Sequence, residues 1–93
     1  MGAKRTVWKY PIPVDVAFEL WMPRGAAVLS VQVQGGAPCI WVLADPDAPK
    51  ELRSFVTLGT GHVVGSDLLR GCDFVGTYQL EGSALVFHLW AEK

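Results

Sequence analysis

Glycine and proline interrupt this chain so often that a long helix has no room to form. Ten glycines and six prolines divide the 93 residues into short stretches rich in Val, Trp, Phe, Thr and Leu. Branched and aromatic side chains of this kind pack well on a pleated strand. Short strands between regular turn signals are typical of sandwiches and barrels. We therefore predict one all-β domain over residues 1–93, a small antiparallel β-sandwich or partly open barrel of about seven short strands built from hairpins.

The clearest strand pattern is the alternation over Leu29–Gln34. Its apolar residues share one face and its polar residues the other, and Gly35-Gly36 follows as a signal for a two-residue hairpin. Cys39–Leu43 is predicted to be the returning strand. The turn sets the register and gives two core-facing pairs, Val31 with Ile40 and Leu29 with Val42. The opposite face combines Trp41 with amide and hydroxyl groups, which is neither a typical core nor a typically charged surface.

The last third of the chain carries weaker signals. The stretch from Gly59 to Asp73 lacks strand alternation, and a short helical turn is predicted around residues 65–70. Glu81-Gly82 predicts a second hairpin, whose register depends on the length of its loop. A two-residue loop gives these neighbours: Tyr78 with Leu85 and Phe74 with Leu89 on one face, and Thr77, Gln79 and His88 on the other. A three-residue loop would change this assignment.

Composition and charge exclude several classes of protein. A hydrophobic fraction of 51% with a net charge of −1 is incompatible with intrinsic disorder. Two cysteines are too few for a disulfide-rich secreted scaffold. The eight basic residues are scattered and offset by nine acidic ones, so nucleic acid is not an expected partner. Because no signal peptide or membrane-spanning stretch is recognisable, we expect no membrane association and a cytoplasmic location.

The residues that bind metals elsewhere show no metal-site spacing here. Cys39 and Cys72 are expected to be reduced, partly buried thiols, with a disulfide or a metal or catalytic role as the alternatives. Asp45, Asp47 and Glu51 lie among prolines and fit turn chemistry better than calcium binding. We therefore expect no metal and no cofactor.

The most suggestive local motif is Gly59-Thr60-Gly61-His62. Its glycines allow positive φ and close approach of a ligand, and successive amides in such a turn can bind an anion. Two arginines flank the following loop and are suited to clamp an anion, and a tryptophan could stack on a base. The residues predicted for a small anionic or nucleotide ligand are Trp41, Arg53, Gly59, Thr60, Gly61, His62 and Arg70. An ordinary turn at the end of a strand is the alternative.

The two histidines, His62 and His88, are the candidate bases for an enzyme. A catalytic triad also needs a nucleophile and an orienting carboxylate beside the histidine. No serine or cysteine is singled out for that role, and no Gly-x-Ser-x-Gly elbow is present. We therefore predict no catalytic residue and keep a hydrolase that uses His62 or His88 as an alternative.

The four tryptophans favour a buried interface. Trp8, Trp21, Trp41 and Trp90 fall on four different predicted strands. A two-layer sandwich of this size has little room to bury four indoles in its core. Tryptophan is enriched at protein interfaces and often dominates their binding energy. We therefore predict a homo-oligomer in which these residues reach an interface.

Six segments together carry a resemblance to a known family: Arg5–Pro11, Val31–Gln34, Ile40-Trp41 leading to Asp45-Pro46, Gly59–His62, Val75–Gln79 and Leu85–His88. They resemble a family of small proteins of unknown function found in bacteriophages, prophages and their bacterial hosts. The resemblance spans nearly the whole chain and implies a compact stand-alone protein of phage origin. It carries over no catalytic residue. Small phage proteins outside the virion often act on the host, by inhibiting a defence enzyme or sequestering a signalling nucleotide.

These observations favour a non-enzymatic binding protein of the bacterial host cytoplasm, oligomeric and phage-derived, which modulates a host process. In the leading hypothesis, a tryptophan-containing sheet face binds a host protein. In the first alternative, a pocket at a subunit boundary holds the small anionic or nucleotide ligand. The hydrolase is the second alternative.

Overall fold

Seven strands in two sheets account for most of the residues that the computed structural model describes, which are 4–80 and 82–93. Every strand pairing is antiparallel, so the predicted all-β fold is confirmed. The strands are β1 (Thr6–Pro11), β2 (Ala17–Pro23), β3 (Ala27–Gln34), β4 (Ala37–Ala44), β5 (Lys50–Gly59), β6 (Cys72–Gln79) and β7 (Val86–Glu92).

The two sheets differ in size. The first has three strands in the order β1-β4-β3, and the second has four in the order β2-β5-β7-β6. The two sheets approach each other closely at β3 and β6. The Gly76 backbone lies so near Val31 there that a Cβ on Gly76 would be only 3.0 Å from the Val31 side chain. β1 and β2 are the outer strands at the other end of each sheet. The fold is therefore two open sheets packed face to face, and no other described strand pairs with the outer edges of β1 and β2.

The core lies between the sheets and is formed by the alternate residues that point inward from each strand. Met22, Ile40, Val42, Phe55 and Leu89 are fully or almost fully buried there. Two buried hydroxyls, Thr57 Oγ1 and Tyr78 OH, have no hydrogen-bond partner among the described residues. Since an unpaired buried hydroxyl costs free energy, these two positions are local weaknesses of an otherwise apolar core.

The β3–β4 hairpin has the predicted turn but only part of the predicted register. Gly35 and Gly36 have φ values of 60° and 80°, as a two-residue hairpin turn requires. Val31 pairs with Ile40 as predicted. The predicted pairing of Leu29 with Val42 is wrong, because a β-bulge between Val28 and Ser30 inserts one extra residue. Val28 pairs with Val42 instead, and Leu29 is 52% exposed.

The β6–β7 hairpin has a longer loop than a two-residue turn. Gly82 has a positive φ of 72°, whereas Glu81 lies outside the described residues. The loop has internal bonds, from the Ser83 amide to the Leu80 carbonyl and from the Leu85 amide to Ser83 Oγ. The predicted pairs are therefore wrong, and the observed ones are Tyr78 with Phe87 and Phe74 with Trp90. The predicted shared face of Thr77, Gln79 and His88 is confirmed.

The connection from β5 to β6 crosses over β7. Both strands are antiparallel to β7 and lie on either side of it, so they run parallel to each other. Residues 60–71 form successive turns rather than the predicted helical turn, with amide-to-carbonyl bonds of Leu68 to Gly65, Arg70 to Asp67 and Cys72 to Leu69. Across residues 4–80 and 82–93, no helix is long and apolar enough to cross a membrane.

Candidate binding face

The side of the four-stranded sheet that points away from the core carries ordered rows of side chains. We call this side the outer face. Phe55, Leu89 and Tyr78 point into the core, so their neighbours in sequence on the same strands point outward. The register then aligns outward residues across the sheet, and one complete row consists of Ala17, Val56, Trp90 and Phe74.

Aromatic and apolar side chains dominate this face. Phe74 packs edge to face on Trp90, with ring centroids 5.3 Å apart, and remains 57% exposed. Near the end of β2 and the start of β5, Trp21 pairs with Leu52, and these side chains are 62% and 43% exposed. Such large apolar groups are costly to leave in water when they share one side of a small sheet. The outer face therefore has the character of a protein contact surface.

A polar row separates these two apolar areas. Glu19 pairs with Ser54, and Cys72 pairs with Glu92. The Ser54 hydroxyl donates to the Glu19 carboxylate at 3.4 Å. A groove of about 470 Å³ lies between this row and the turn residues Leu68 and Arg70. The groove therefore combines two carboxylates with one guanidinium.

The thiol of Cys72 lies in this groove. Burial raises the pKa of Cys72, and the nearby carboxylates of Glu92 and Asp73 raise it further. The thiol is therefore held in its neutral form and is a poor nucleophile near neutral pH. This environment does not suit a catalytic cysteine.

His88 occupies a fixed position in the next row of the outer face. Its Nε2 lies 2.7 Å from Thr60 Oγ1, and its Nδ1 lies 2.9 Å from Thr77 Oγ1. Both ring nitrogens are thus engaged by hydroxyls, and the ring centroid lies 6.4 Å from that of Trp90. Among the described residues, no carboxylate bonds to His88 as a triad would require. The arrangement fits a structural role that ties the β5–β6 connection to the sheet.

A family model described as a domain of unknown function (DUF7352) matches residues 3–93. The chain belongs to this family. No curated protein and no solved structure matches the chain. The DUF7352 match covers all seven strands and therefore the whole outer face. The phage origin implied by the resemblance is not tested by this match and stays a prediction.

The predicted ligand residues of this DUF7352 chain do not converge within one copy. Arg53 lies on the core side and donates to the Ala26 carbonyl at 2.9 Å, whereas Arg70 pairs with Asp67 at 2.7 Å. These two arginines line different grooves, and Gly59 and Thr60 line a third.

The rest of the predicted ligand site is equally dispersed. Trp41 lies on the three-stranded sheet and points away from the core, because its neighbours Ile40 and Val42 are in the core. Gly61 has a φ of 85°, and the His62 amide bonds to the Gly59 carbonyl at 3.0 Å, which closes an ordinary turn. In one copy of the chain, this segment is a strand-end turn.

The four tryptophans occupy three environments. Trp21 and Trp90 lie on the outer face of the four-stranded sheet, and Trp41 lies on the corresponding side of the three-stranded sheet. Trp8 pairs with the buried Val42 and packs, partly buried, against the core. The described residues contain no group of three or more His, Cys, Asp or Glu that could hold a metal.

Sequence reasoning missed Phe74, Glu19 and Glu92 as members of the outer face. A two-residue loop predicts Phe74 opposite Leu89 and on the same face as Tyr78. A register shift between Phe74 and Gly76 turns it outward. The available signal was Gly76 itself, because a glycine inside a strand often marks a bulge.

The cysteines lie in different sheets. Cys39 is in β4 of the three-stranded sheet and is buried, and Cys72 begins β6 of the four-stranded sheet. Both are free thiols. The arrangement agrees with the expectation of reduced cysteines.

Proposed function

We propose that this chain is a small non-enzymatic binding protein that binds a host protein through the outer face of its four-stranded sheet. It acts as a homo-oligomer in the cytoplasm of a bacterial host and modulates a host process there. The proposal includes a phage origin and a role against host defence, which the sequence resemblance supports. The observation that carries the binding role is the exposure of Trp21, Leu52 and Phe74 on one side of one sheet.

The chemistry of the face favours a protein over other partners. Tryptophan and phenylalanine are the side chains that most often anchor protein interfaces. The row between the two apolar areas contributes the carboxylates of Glu19 and Glu92. A partner that presents a lysine or arginine between apolar side chains complements this arrangement, whereas a nucleic acid or nucleotide meets like charge.

The two alternatives have weaker support. The residues predicted for an anionic ligand line separate grooves, and each of the two arginines already has a partner inside the chain. The hydrolase alternative is weakened because both nitrogens of His88 are held by threonine hydroxyls. A binding function requires neither a nucleophile nor a base, so the bonding of His88 does not count against it.

Affinity capture with matched variants tests the proposal. Phe74→Ser and Trp21→Ser remove exposed apolar side chains from the outer face, and Leu29→Ser makes the same change at a 52% exposed position on the other sheet. We expect the same host protein to be captured by wild type and Leu29→Ser and lost by both outer-face variants. Thermal melts verify that all three variants fold. Equal capture by every variant would refute the proposed face.

A further inference from the structure

The free edge of β2 presents unpaired backbone groups in a regular pattern. The Thr57 amide bonds to the Val16 carbonyl at 2.9 Å, and the Arg24 amide bonds to the Pro49 carbonyl at 2.8 Å. In an antiparallel pair, hydrogen-bonded residues alternate along the strand. The even-numbered residues of β2 between these two bonds therefore point their backbone N–H and C=O groups toward β5. Ala17, Glu19 and Trp21 direct their N–H and C=O groups to the open edge, which pairs with no other described strand.

The edge of the three-stranded sheet at β1 is protected in a way that the edge at β2 is not. The Ile12 amide bonds to the Pro38 carbonyl at 3.0 Å, so Val7, Lys9 and Pro11 are the edge-facing residues of β1. Lysine and proline at an edge discourage pairing with another chain. The first three edge-facing positions of β2 have no lysine and no proline, because Pro23 comes only at its end.

β2 also lies at the margin of the core. Phe18 and Leu20 point inward but are only half-buried, although Phe18 stacks on Phe55 at 5.1 Å. Met22, further along the same strand, is fully buried in the core. Another strand beside β2 would cover Phe18 and Leu20 and lower the free energy of the assembly.

We propose that two copies of this chain pair antiparallel through their β2 strands. Pairing centred on Leu20 places Glu19 opposite Trp21 of the second copy, and these residues then exchange both backbone hydrogen bonds. Centring on Glu19 would set two carboxylates directly opposite each other, which is unfavourable. The register centred on Leu20 also sets Val16 opposite Arg24 of the second copy. Asp15, which precedes Val16, then lies near that arginine.

This pairing joins the two four-stranded sheets into one continuous sheet. Their outer faces then lie side by side and stay open to a partner protein. The inference deepens the oligomeric part of the proposed function, since it names the second copy and the strand that binds it. It does not depend on which host protein the outer face binds.

Residue-resolved hydrogen exchange on the wild-type protein tests the pairing without any substitution. We expect sedimentation to show a dimer that dissociates on dilution. The amides of Ala17, Glu19 and Trp21 should exchange slowly in the dimer and fast in the monomer. The edge-facing amides of Val7 and Lys9 should exchange fast at both concentrations. A strict monomer, or a dimer in which the three β2 amides stay unprotected, would overturn the proposal.

A matched pair of proline variants gives a second test. Glu19→Pro removes an edge-facing N–H of β2, and Lys9→Pro does the same at β1. Both sites tolerate proline, because neither amide bonds inside its own sheet. We expect Glu19→Pro to weaken dimerisation by at least about tenfold, equivalent to about 1.4 kcal/mol, and Lys9→Pro to leave it unchanged. Equal dimerisation of the two variants would contradict the proposal.

The two proposals fail in different measurements. Loss of the dimer in Glu19→Pro supports edge pairing whether or not capture is retained, because this variant also removes a carboxylate of the outer face. Loss of capture in Phe74→Ser with the dimer retained supports the face and leaves edge pairing intact. A dimer abolished by Phe74→Ser but not by Glu19→Pro would overturn edge pairing, because the outer face would then be the dimer contact.

Discussion

His88 Nε2 lies 2.7 Å from Thr60 Oγ1, and this contact joins β7 to the start of the β5–β6 connection. The other ring nitrogen reaches Thr77 Oγ1 at 2.9 Å. A single imidazole thus links the connection to two neighbouring strands. Because residues 60–71 contain turns and no helix or strand, this link helps to fix how the connection lies beside the outer face.

We expect Thr60→Val to destabilise the fold modestly. The contact is exposed, so its loss should lower the free energy of unfolding by about 0.5–1 kcal/mol in urea titrations. Thr60→Val combined with His88→Leu should cost less than the sum of the two single substitutions, because both remove the same bond. Strict additivity would show that the hydroxyl and the ring do not interact in solution.

The sequence predicts the β3–β4 hairpin because its signal is local. Two glycines that both need positive φ mark the turn, and the alternation on either side fixes most of the register. The bulge beside Leu29 is not predictable in this way, since an apolar residue at that position fits either register. Thr77 and His88 were placed together for the same local reason.

The rows of the outer face depend on long-range order. Phe74 and Trp90 belong to one hairpin, but Ala17 joins their row only through the strand order β2-β5-β7-β6. Nothing in the local pattern of any strand specifies its neighbour in a sheet. The contact of Thr60 with His88 likewise spans the crossover, so sequence reasoning identified both residues but did not connect them.

We expect Thr57→Val to stabilise the protein. The Thr57 hydroxyl is buried without a hydrogen-bond partner among the described residues. Valine keeps the branched shape that suits a strand and removes the unsatisfied group, so the free energy of unfolding should rise by about 1 kcal/mol. Thr77→Val is the matched control, because the same chemical change there removes a bonded hydroxyl and should destabilise. Destabilisation by Thr57→Val would mean that the hydroxyl has a partner in solution.

Alkaline pH should weaken the fold. Burial raises the pKa of Tyr78 and of Tyr10 above the ordinary value of 10.0. The folded chain therefore keeps these phenol protons to higher pH than the unfolded chain does. Their contribution to stability is fully present below about pH 10 and is lost as the pH rises through the folded-state pKa values. Cys72, whose pKa is raised above 9.0, adds a loss that begins at lower pH.

Urea unfolding between about pH 8 and pH 11 checks this pH dependence. Tyr78→Phe should flatten the decline, because it removes one of the titrating groups together with the unpaired Tyr78 hydroxyl. An unchanged slope in Tyr78→Phe would show that this phenol does not titrate differently in the folded chain.

We expect Gly76→Ala to destabilise the contact between the two sheets. A Cβ on Gly76 would lie 3.0 Å from Val31 Cγ1, and Val31 is itself buried. Overpacking of this kind costs about 1–3 kcal/mol in unfolding titrations. Val31→Ala removes the obstructing methyl group, so Gly76→Ala should cost clearly less in that background. Gly59→Ala serves as the control, because its Cβ would meet Phe87 at an ordinary 3.9 Å and should be tolerated. If Gly76→Ala were as harmless as Gly59→Ala, the sheets would not approach each other closely at β3 and β6.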